Sequence, residues 1–163
     1  MATVERIATD TKLEAWKTLL QTHSRVVRTL EEEMDRDQGL PLTWYEILGH
    51  LRAAPESRLR MQTLAESILL SRSGLTRLFD RMEEAGLVLR APCAEDRRGT
   101  WATLTEKGKE VYSKASPGHI SGIQQHFSRH ISDDDASAII EAFSKILDVE
   151  GRGELECGDE TTA

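Results

Sequence analysis

Residues 71–77, Ser-Arg-Ser-Gly-Leu-Thr-Arg, place hydroxyl and guanidinium donors at the expected start of a helix. Unpaired N–H groups at a helix N-terminus attract phosphate, and serine hydroxyls there add further contacts. Arginine and short polar side chains also read base edges when such a helix end enters a major groove. The segment therefore predicts contacts to duplex DNA from Ser71, Arg72, Ser73, Thr76 and Arg77.

A second group of charged residues, Asp96-Arg97-Arg98, lies between the strand-like runs 87–90 and 100–104. The pattern predicts a β-hairpin with a charged tip. An arginine at such a tip can enter a narrow minor groove, where the negative potential is concentrated. We assign that role to Arg97, with Asp96 holding its guanidinium in one orientation, and we expect Arg98 to contact phosphate.

The distribution of charge agrees with a polyanionic partner although the net charge does not. The chain of 163 residues carries a formal charge of -7, which taken as a whole argues against phosphate binding. Residues 58–109, however, hold ten Lys or Arg and seven Asp or Glu, a net +3, whereas the other residues hold eleven and twenty-one, a net -10. Chance variation along a solvated surface is the alternative explanation, so the motifs must decide.

The elements that position these residues can be read from the apolar spacing. A seam from Leu13 to Met34 repeats about every 3.5 residues and predicts a long amphipathic helix, with Asp10 as N-cap and an end before Pro41. A capping box from Thr43 to Glu46 predicts the start of a second helix that runs to Pro55. Both helices precede the basic region.

Two short helices and a hairpin are expected next. A strand-like lead-in and a brief helix cover 59–68, a turn follows at 69–70, and Ser71 caps the helix that presents the DNA-contacting residues. Its buried stripe is expected at Leu75, Leu78, Phe79 and Met82, and Gly86 closes it in the left-handed conformation. This order predicts a helix-turn-helix followed by a two-stranded β-wing, in a mainly α fold.

The remaining chain reads as helical. Thr105 caps a helix that the Pro117-Gly118 pair is expected to kink or break. A final helix begins at Ser132 with three acidic residues in its first turn. From Gly151 the sequence is small and acidic, which predicts a disordered tail over 150–163.

This combination resembles the MarR-type winged-helix transcriptional regulators, over about residues 12–148. Their pattern is matched by Leu75-Thr76-Arg77-Leu78, Asp80-Arg81-Met82-Glu83, Gly86-Leu87-Val88, Arg90, Asp96-Arg97-Arg98 and Leu104-Thr105-Glu106-Lys107-Gly108. The resemblance implies a homodimeric regulator, usually a repressor, on a pseudo-palindromic operator. Its dimerisation region would be residues 10–38 and 105–149, the N- and C-terminal helices, and its winged helix-turn-helix core residues 42–104.

Members of this family often sense a small aromatic or phenolic molecule between the dimerisation helices and the winged helix. Stacking and hydrogen bonding by aromatic and imidazole side chains suit such a ligand. The candidates for this pocket are Trp16, His23, Trp44, Tyr45 and His50. A histidine in an apolar seam, such as His23, is as a rule a satisfied core or interface residue, which is the alternative.

Other sensing chemistries have weaker support. His126 and His130 lie four residues apart, a spacing that can chelate a metal on one helix face, but no complete ligand set accompanies them and a solvated face is favoured. Cys93 lies near arginines that could activate a thiolate, although the redox-sensing branch of the family carries its cysteine elsewhere. These alternatives describe a metal- or thiol-responsive regulator.

The sequence favours neither an enzyme nor a membrane protein. It has no nucleophile elbow, phosphate-binding glycine loop or zinc-protease motif, and nothing calls for a cofactor. No apolar run approaches the roughly 18 residues of a membrane span, so a cytoplasmic location is expected. A winged helix that contacts an acidic protein instead of DNA is the remaining alternative.

Overall fold

The computed structural model describes residues 10–68, 72–93 and 99–156. By their internal contacts the residues form two compact units, 1–122 and 123–163. The helices are α1 (Thr11–Gln38), α2 (Leu42–Ala53), α3 (Met61–Ser67), α4 (Arg72–Glu84), α5 (Glu106–His126) and α6 (Asp133–Glu156). The strands are β1 (Arg58–Arg60), β2 (Val88–Pro92) and β3 (Thr100–Leu104), and short 3-10 turns cover Pro55–Ser57 and Ser128–His130.

Helix α1 begins and ends where its capping residues predict. The Asp10 carboxylate accepts a hydrogen bond from the Lys12 N–H at 2.9 Å. At the other end Gly39 adopts a left-handed φ of 60° and donates its N–H to the Asp35 carbonyl. These local devices satisfy backbone groups that the helix itself leaves unpaired.

Helix α2 corrects the predicted capping box. The helix begins at Leu42, one residue earlier than expected, and Pro41 occupies the N-cap position without a side-chain cap bond. The Pro41 carbonyl accepts the N–H groups of Trp44 and Tyr45. Because the proline ring fixes φ near a helix-compatible value and Leu42 is buried, the first turn forms without the Thr43 hydroxyl.

The sheet has three antiparallel strands in the order β1-β3-β2. The predicted hairpin is confirmed, with Val88 opposite Leu104 and Arg90 opposite Ala102. The strand-like lead-in is also confirmed, but it joins the sheet as a third strand, with Arg60 opposite Trp101. The predicted two-stranded wing therefore has a third strand, paired along β3.

The core of the winged helix lies between this sheet and helices α2, α3 and α4. Each element contributes side chains that are almost completely shielded from water, and each such large side chain stabilises the fold by about 1.5–3 kcal/mol. The fully shielded members are Ile47, Leu48, Leu51, Leu64, Phe79, Met82, Val88 and Ala102. The stripe predicted on α4 is thus buried at Leu75, Phe79 and Met82, with Leu78 half-buried against the same core.

Helix α5 continues through Pro117, so the predicted break is not observed. A proline inside a helix costs about 3 kcal/mol through a lost hydrogen bond and a steric clash. Here Tyr112, before the proline, and His119, after it, both contact the ring of Tyr45, at centroid distances of 4.7 and 4.6 Å. Because one side chain of α2 holds both halves, packing outweighs the local preference.

The second unit contains α6 and its cap. Ser132 and Asp135 form a reciprocal capping pair: the Asp135 N–H donates to Ser132 Oγ, and the Ser132 N–H donates to the Asp135 carboxylate. The helix continues to Glu156, past the expected start of the tail at residue 150. Glycine in a helix costs only about 1 kcal/mol, so Gly151 and Gly153 do not end it. Residues 157–163 of the predicted tail lie outside the described residues.

Candidate nucleic-acid interface

Helix α4 separates its packing residues from its donors. Leu75, Phe79 and Met82 are buried, whereas Thr76 and Arg77 are exposed. Ser73 is exposed on the same N-terminal half of the helix. A helix with this division presents hydroxyl and guanidinium groups to solvent at the end whose backbone N–H groups attract anions.

Several residues of the predicted DNA interface lie outside the described part of the chain. They are the predicted contacts Ser71, Arg97 and Arg98 and the orienting residue Asp96, and the side chain of Arg72 is likewise undescribed. The described hairpin reaches Cys93 and Gly99, where the Cys93 N–H donates to the Gly99 carbonyl at 3.0 Å. The contacts predicted for the tip and for Ser71 therefore stay predictions.

Arg90 joins the hairpin to α4, which sequence reasoning missed. Its guanidinium donates to Glu83 Oε2 at 2.6 Å and pairs with Asp80 Oδ1 at 2.7 Å. It also donates to the Thr76 carbonyl at 3.1 Å and lies 4.9 Å from the centre of the Phe79 ring. One side chain of β2 thus binds about two turns of the helix that carries the candidate DNA contacts.

The sequence contains a pattern from which the position of Arg90 could have been predicted. Val88 and Arg90 share one face of a strand, and Val88 is apolar, so Arg90 points toward the packed side of the sheet. A partly buried arginine there requires anionic partners, and Asp80 and Glu83 lie three residues apart on one face of α4. Arg90 is one of the ten basic residues counted in 58–109, but Asp80 and Glu83 neutralise its charge within the winged helix.

The Leu-Thr-Glu-Lys-Gly segment at 104–108 has a packing role that explains its residue types. The Thr105 hydroxyl lies 2.8 Å from the Gly86 carbonyl and accepts the Gly108 N–H at 3.0 Å. Lys107 Nζ donates to the Ala85 carbonyl at the C-terminal end of α4. A Cβ on Gly108 would collide with the Leu87 carbonyl oxygen, so only glycine permits this approach. These contacts hold the start of α5 against the turn that follows α4.

Comparison with known proteins is consistent with this geometry. A sequence model of the MarR family matches residues 38–99. The transcriptional regulator MhqR of Bacillus subtilis is 30% identical over 108 residues, covering 64% of this chain and 73% of that protein. The crystal structure of AbsC, a MarR family transcriptional regulator from Streptomyces coelicolor, superposes with a TM-score of 0.80 and 36% identity over 89% of this chain and 97% of that one.

The chain belongs to the MarR family. A further member, Sco3205 from Streptomyces coelicolor, was solved in complex with DNA. It is 29% identical to this chain, with a TM-score of 0.76 over 82% of this chain and 83% of its own. The present MarR-family chain is thus a transcriptional regulator with a winged-helix fold, and the family's members are regulators rather than enzymes.

An open cleft of about 560 Å³ lies between α1, α2 and the end of α3. Three of the five predicted pocket residues line it: His23, Tyr45 and His50. Trp16 is 55% exposed on α1, and Trp44 packs against the core with Arg81 over its ring, so neither is among the lining residues. The cleft wall is completed by Val27, Glu46, Gly49, Ala53, Ser67 and Ile68.

The polar groups of the cleft influence one another. Desolvation raises the pKa of Glu46, and the charge of Glu31 raises it further, whereas His50 and His23 oppose that shift. Desolvation also raises the pKa of Tyr45, whose hydroxyl lies 3.2 Å from Ser116 Oγ. The ring of Tyr45 is occupied by Tyr112 and His119, so hydrogen bonding by His23, His50 and Glu46 is the chemistry that this cleft offers.

The metal candidates do not form a site in the described residues. Helix α5 ends at His126, and His130 lies in the following 3-10 turn, so the predicted shared helix face is wrong. Between them Phe127 has non-helical backbone angles. Among the residues described, no three His, Cys, Asp or Glu side chains are placed to bind a metal, and Cys93 is buried.

None of the described helices combines the length and the apolar character that a bilayer crossing requires.

Proposed function

We propose that this MarR-family regulator is a homodimeric repressor that reads a pseudo-palindromic operator in the cytoplasm and releases it when a small molecule binds. The observation that carries the proposal is the exposed N-terminal half of α4, with Ser73, Thr76 and Arg77 outward above a buried apolar stripe. Arg77 and Thr76 would contact base edges, while Ser71, Arg72 and Ser73 would hold phosphates.

The hairpin completes the proposed interface. Arg97 would enter the adjacent minor groove, Asp96 would orient it, and Arg98 would bind phosphate. Two copies related by a two-fold axis then contact half-sites about one helical turn apart, roughly 34 Å. The sequence of a palindromic operator would mirror that symmetry.

Exposed apolar side chains support the homodimer. In α1, Trp16 and Leu20 are about half exposed, and in α6, Ile140 is 66% and Leu147 70% exposed. Large apolar side chains at this exposure mark surfaces that a partner covers. We assign dimerisation to residues 10–38 and 105–149, and DNA reading to residues 42–104.

The cleft is the proposed effector site. An aromatic or phenolic molecule with a hydroxyl or carboxylate could hydrogen bond with His23, His50 and Glu46 and lie against Val27 and Ile68. Ile68 directly precedes the connection to α4. A ligand that binds more tightly to one conformation of the dimer would change the angle between its two winged helices. The two DNA-reading surfaces would then no longer match the distance between the half-sites, although no residue that contacts a base has changed.

Selection of bound fragments from a random duplex library tests the proposal. We expect enrichment of a palindrome, and we expect Arg97→Ala to weaken binding to it by about 1–3 kcal/mol with little change in thermal stability. Arg25→Ala, on the exposed surface of α1, is the matched control. Failure to enrich any sequence above random duplex would favour the protein-contact alternative.

A further inference from the structure

The cleft between α1, α2 and the end of α3 has one carboxylate and no lysine or arginine among the described residues that line it. The carboxylate is that of Glu46. Two of the other polar side chains of the wall are engaged: the hydroxyl of Tyr45 lies 3.2 Å from a serine hydroxyl of α5, and that of Ser67 donates to a carbonyl of its own helix at 2.8 Å. The cleft therefore offers a ligand chiefly the Glu46 carboxylate and the imidazoles of His23 and His50.

The face of α2 that carries Glu46 leaves space beside the carboxylate. Gly49, His50 and Ala53 follow Glu46 by three, four and seven positions, so these residues share one side of the helix. Two of them are the smallest residues that a helix can carry, and Val27 of α1 adds an apolar group to the wall. An aromatic ring therefore has room next to the carboxylate in a cleft of about 560 Å³.

The surroundings of Glu46 disfavour negative charge. Desolvation raises the pKa of this carboxyl group and the charge of Glu31 raises it further, and the opposing charges of His50 and His23 do not cancel the rise. No hydrogen bond from a described residue is among the causes that act on this pKa. A raised pKa of a carboxyl group means that the charged form is destabilised. A second negative charge, brought by a ligand, would be opposed more strongly.

The chemistry of the three side chains suits an uncharged hydroxyl. An ionised carboxylate only accepts hydrogen bonds, whereas an imidazole can donate from one ring nitrogen and a hydroxyl both donates and accepts. A phenol can thus donate to Glu46 and accept from a histidine. An aromatic carboxylate cannot donate to Glu46 and adds a like charge. An aromatic ammonium ion meets imidazoles whose positive charge already offsets part of the Glu46 charge.

We propose that Glu46 makes the cleft select phenols over aromatic carboxylates, with the phenolic hydroxyl donating to the Glu46 carboxylate and accepting from His23 or His50. The inference rests on the proposed function, which places the effector in this cleft, and it narrows the class of ligand. Glu46 is then a specificity-determining residue, because it acts both by pairing with a donor and by repelling an anion.

Three probes with the same apolar body and different charges test the selection. They are 4-methylphenol, 4-methylbenzoate and 4-methylbenzylamine, which at about pH 7.5 are neutral, anionic and cationic. Each is titrated up to about 10 mM, a range suited to a ligand of this size, into nitrogen-labelled protein followed by two-dimensional NMR. The backbone N–H of Gly49 reports binding in the cleft. The wild type should bind 4-methylphenol about tenfold or more tightly than either charged probe.

Glu46→Gln keeps the shape of the side chain and removes its charge. The preference for 4-methylphenol over 4-methylbenzoate should fall about tenfold, because the phenol loses a charge-assisted hydrogen bond and the carboxylate loses a repulsion. Glu32→Gln, on the exposed surface of α1 and outside the cleft wall, is the matched control and should leave the preference unchanged. Thermal unfolding of both variants checks that the fold is retained.

Different failures have different meanings. If 4-methylbenzoate or 4-methylbenzylamine binds the wild type as tightly as 4-methylphenol, or if Glu46→Gln leaves the preference unchanged, selection by Glu46 is refuted. The proposed effector cleft still stands in those cases when the Gly49 resonance shifts. If no probe shifts the resonances of the cleft, the phenol assignment fails, and the selection of operator fragments still tests DNA reading separately.

Discussion

Replacing Arg90 by methionine should loosen α4 from the sheet, because methionine retains the stem and removes all the donors. The pair with Asp80 is solvent-accessible, since that carboxylate side chain is 54% exposed, and should contribute less than about 1 kcal/mol. The pair with Glu83 is better shielded, with side chains 25% and 33% exposed. A charge-assisted bond of this kind contributes about 1.5–3 kcal/mol, and the lower end applies at this exposure.

The contact of the guanidinium with the Phe79 ring adds about 0.5 kcal/mol. Water can replace the bond to the Thr76 carbonyl, which therefore adds little. We expect a total loss of about 2–3 kcal/mol in the free energy of unfolding. For a chain of this size, each kcal/mol lowers the melting temperature by about 2–4 °C, so the midpoint should fall by about 4–12 °C.

Thermal unfolding followed by circular dichroism tests this value at fixed protein concentration, since a dimer's stability depends on it. Arg90→Lys keeps the charge without the planar fork and should lie between wild type and Arg90→Met. Arg25→Met on α1 is the exposed control. A double-mutant cycle with Glu83→Gln should show coupling of about 1 kcal/mol or more. A fall of less than 1 °C for Arg90→Met would refute the reasoning.

Three further predictions concern recognition, assembly and pH. If Arg77 reads a base, Arg77→Ala should reduce the difference in binding affinity between the operator and a random duplex in anisotropy titrations. An equal loss of affinity for both duplexes would instead show that Arg77 contacts the DNA backbone. Phe143→Asp should dissociate or unfold the protein, because it places a charge in the expected dimer interface. A wild-type protein that sediments as a folded 18.3 kDa monomer at low micromolar concentration would contradict the dimer. Desolvation lowers the pKa of His119 below its ordinary value of 6.5, so the folded state resists protonation and stability is lost as the pH falls below 6.5. His119→Gln should reduce the difference in melting temperature between pH 7.5 and pH 5.5, and an unchanged difference would exclude His119 as a cause.

Features that depend on neighbours in sequence could be predicted. The caps at Asp10, Thr105 and Ser132 and the left-handed Gly39 and Gly86 satisfy backbone groups within a few residues, so their residue types reveal them. The apolar period of α4 likewise indicated which side chains are buried. The Leu-Thr-Glu-Lys-Gly segment was recognisable from its residue types, although the close approach of Gly108 to the Leu87 carbonyl joins separate elements of the fold.

Features that depend on distant residues required the tertiary structure. Periodicity could not show that Tyr45 contacts α5 on both sides of Pro117, because these contacts join residues more than sixty positions apart. The same stacking occupies the Tyr45 ring and leaves the cleft with histidine and glutamate groups in place of the expected stacking surface.

The charged residues show most directly which features the sequence determines and which the tertiary structure determines. The sequence by itself determined that residues 58–109 are basic, but a count of charges treats all arginines alike. The tertiary structure decided that Arg90 is neutralised by Asp80 and Glu83, and that Arg58 and Arg60 share the Trp101 ring on the opposite face of the sheet. The physical reason is that strand alternation and register, which packing sets, determine the partner that each charge meets.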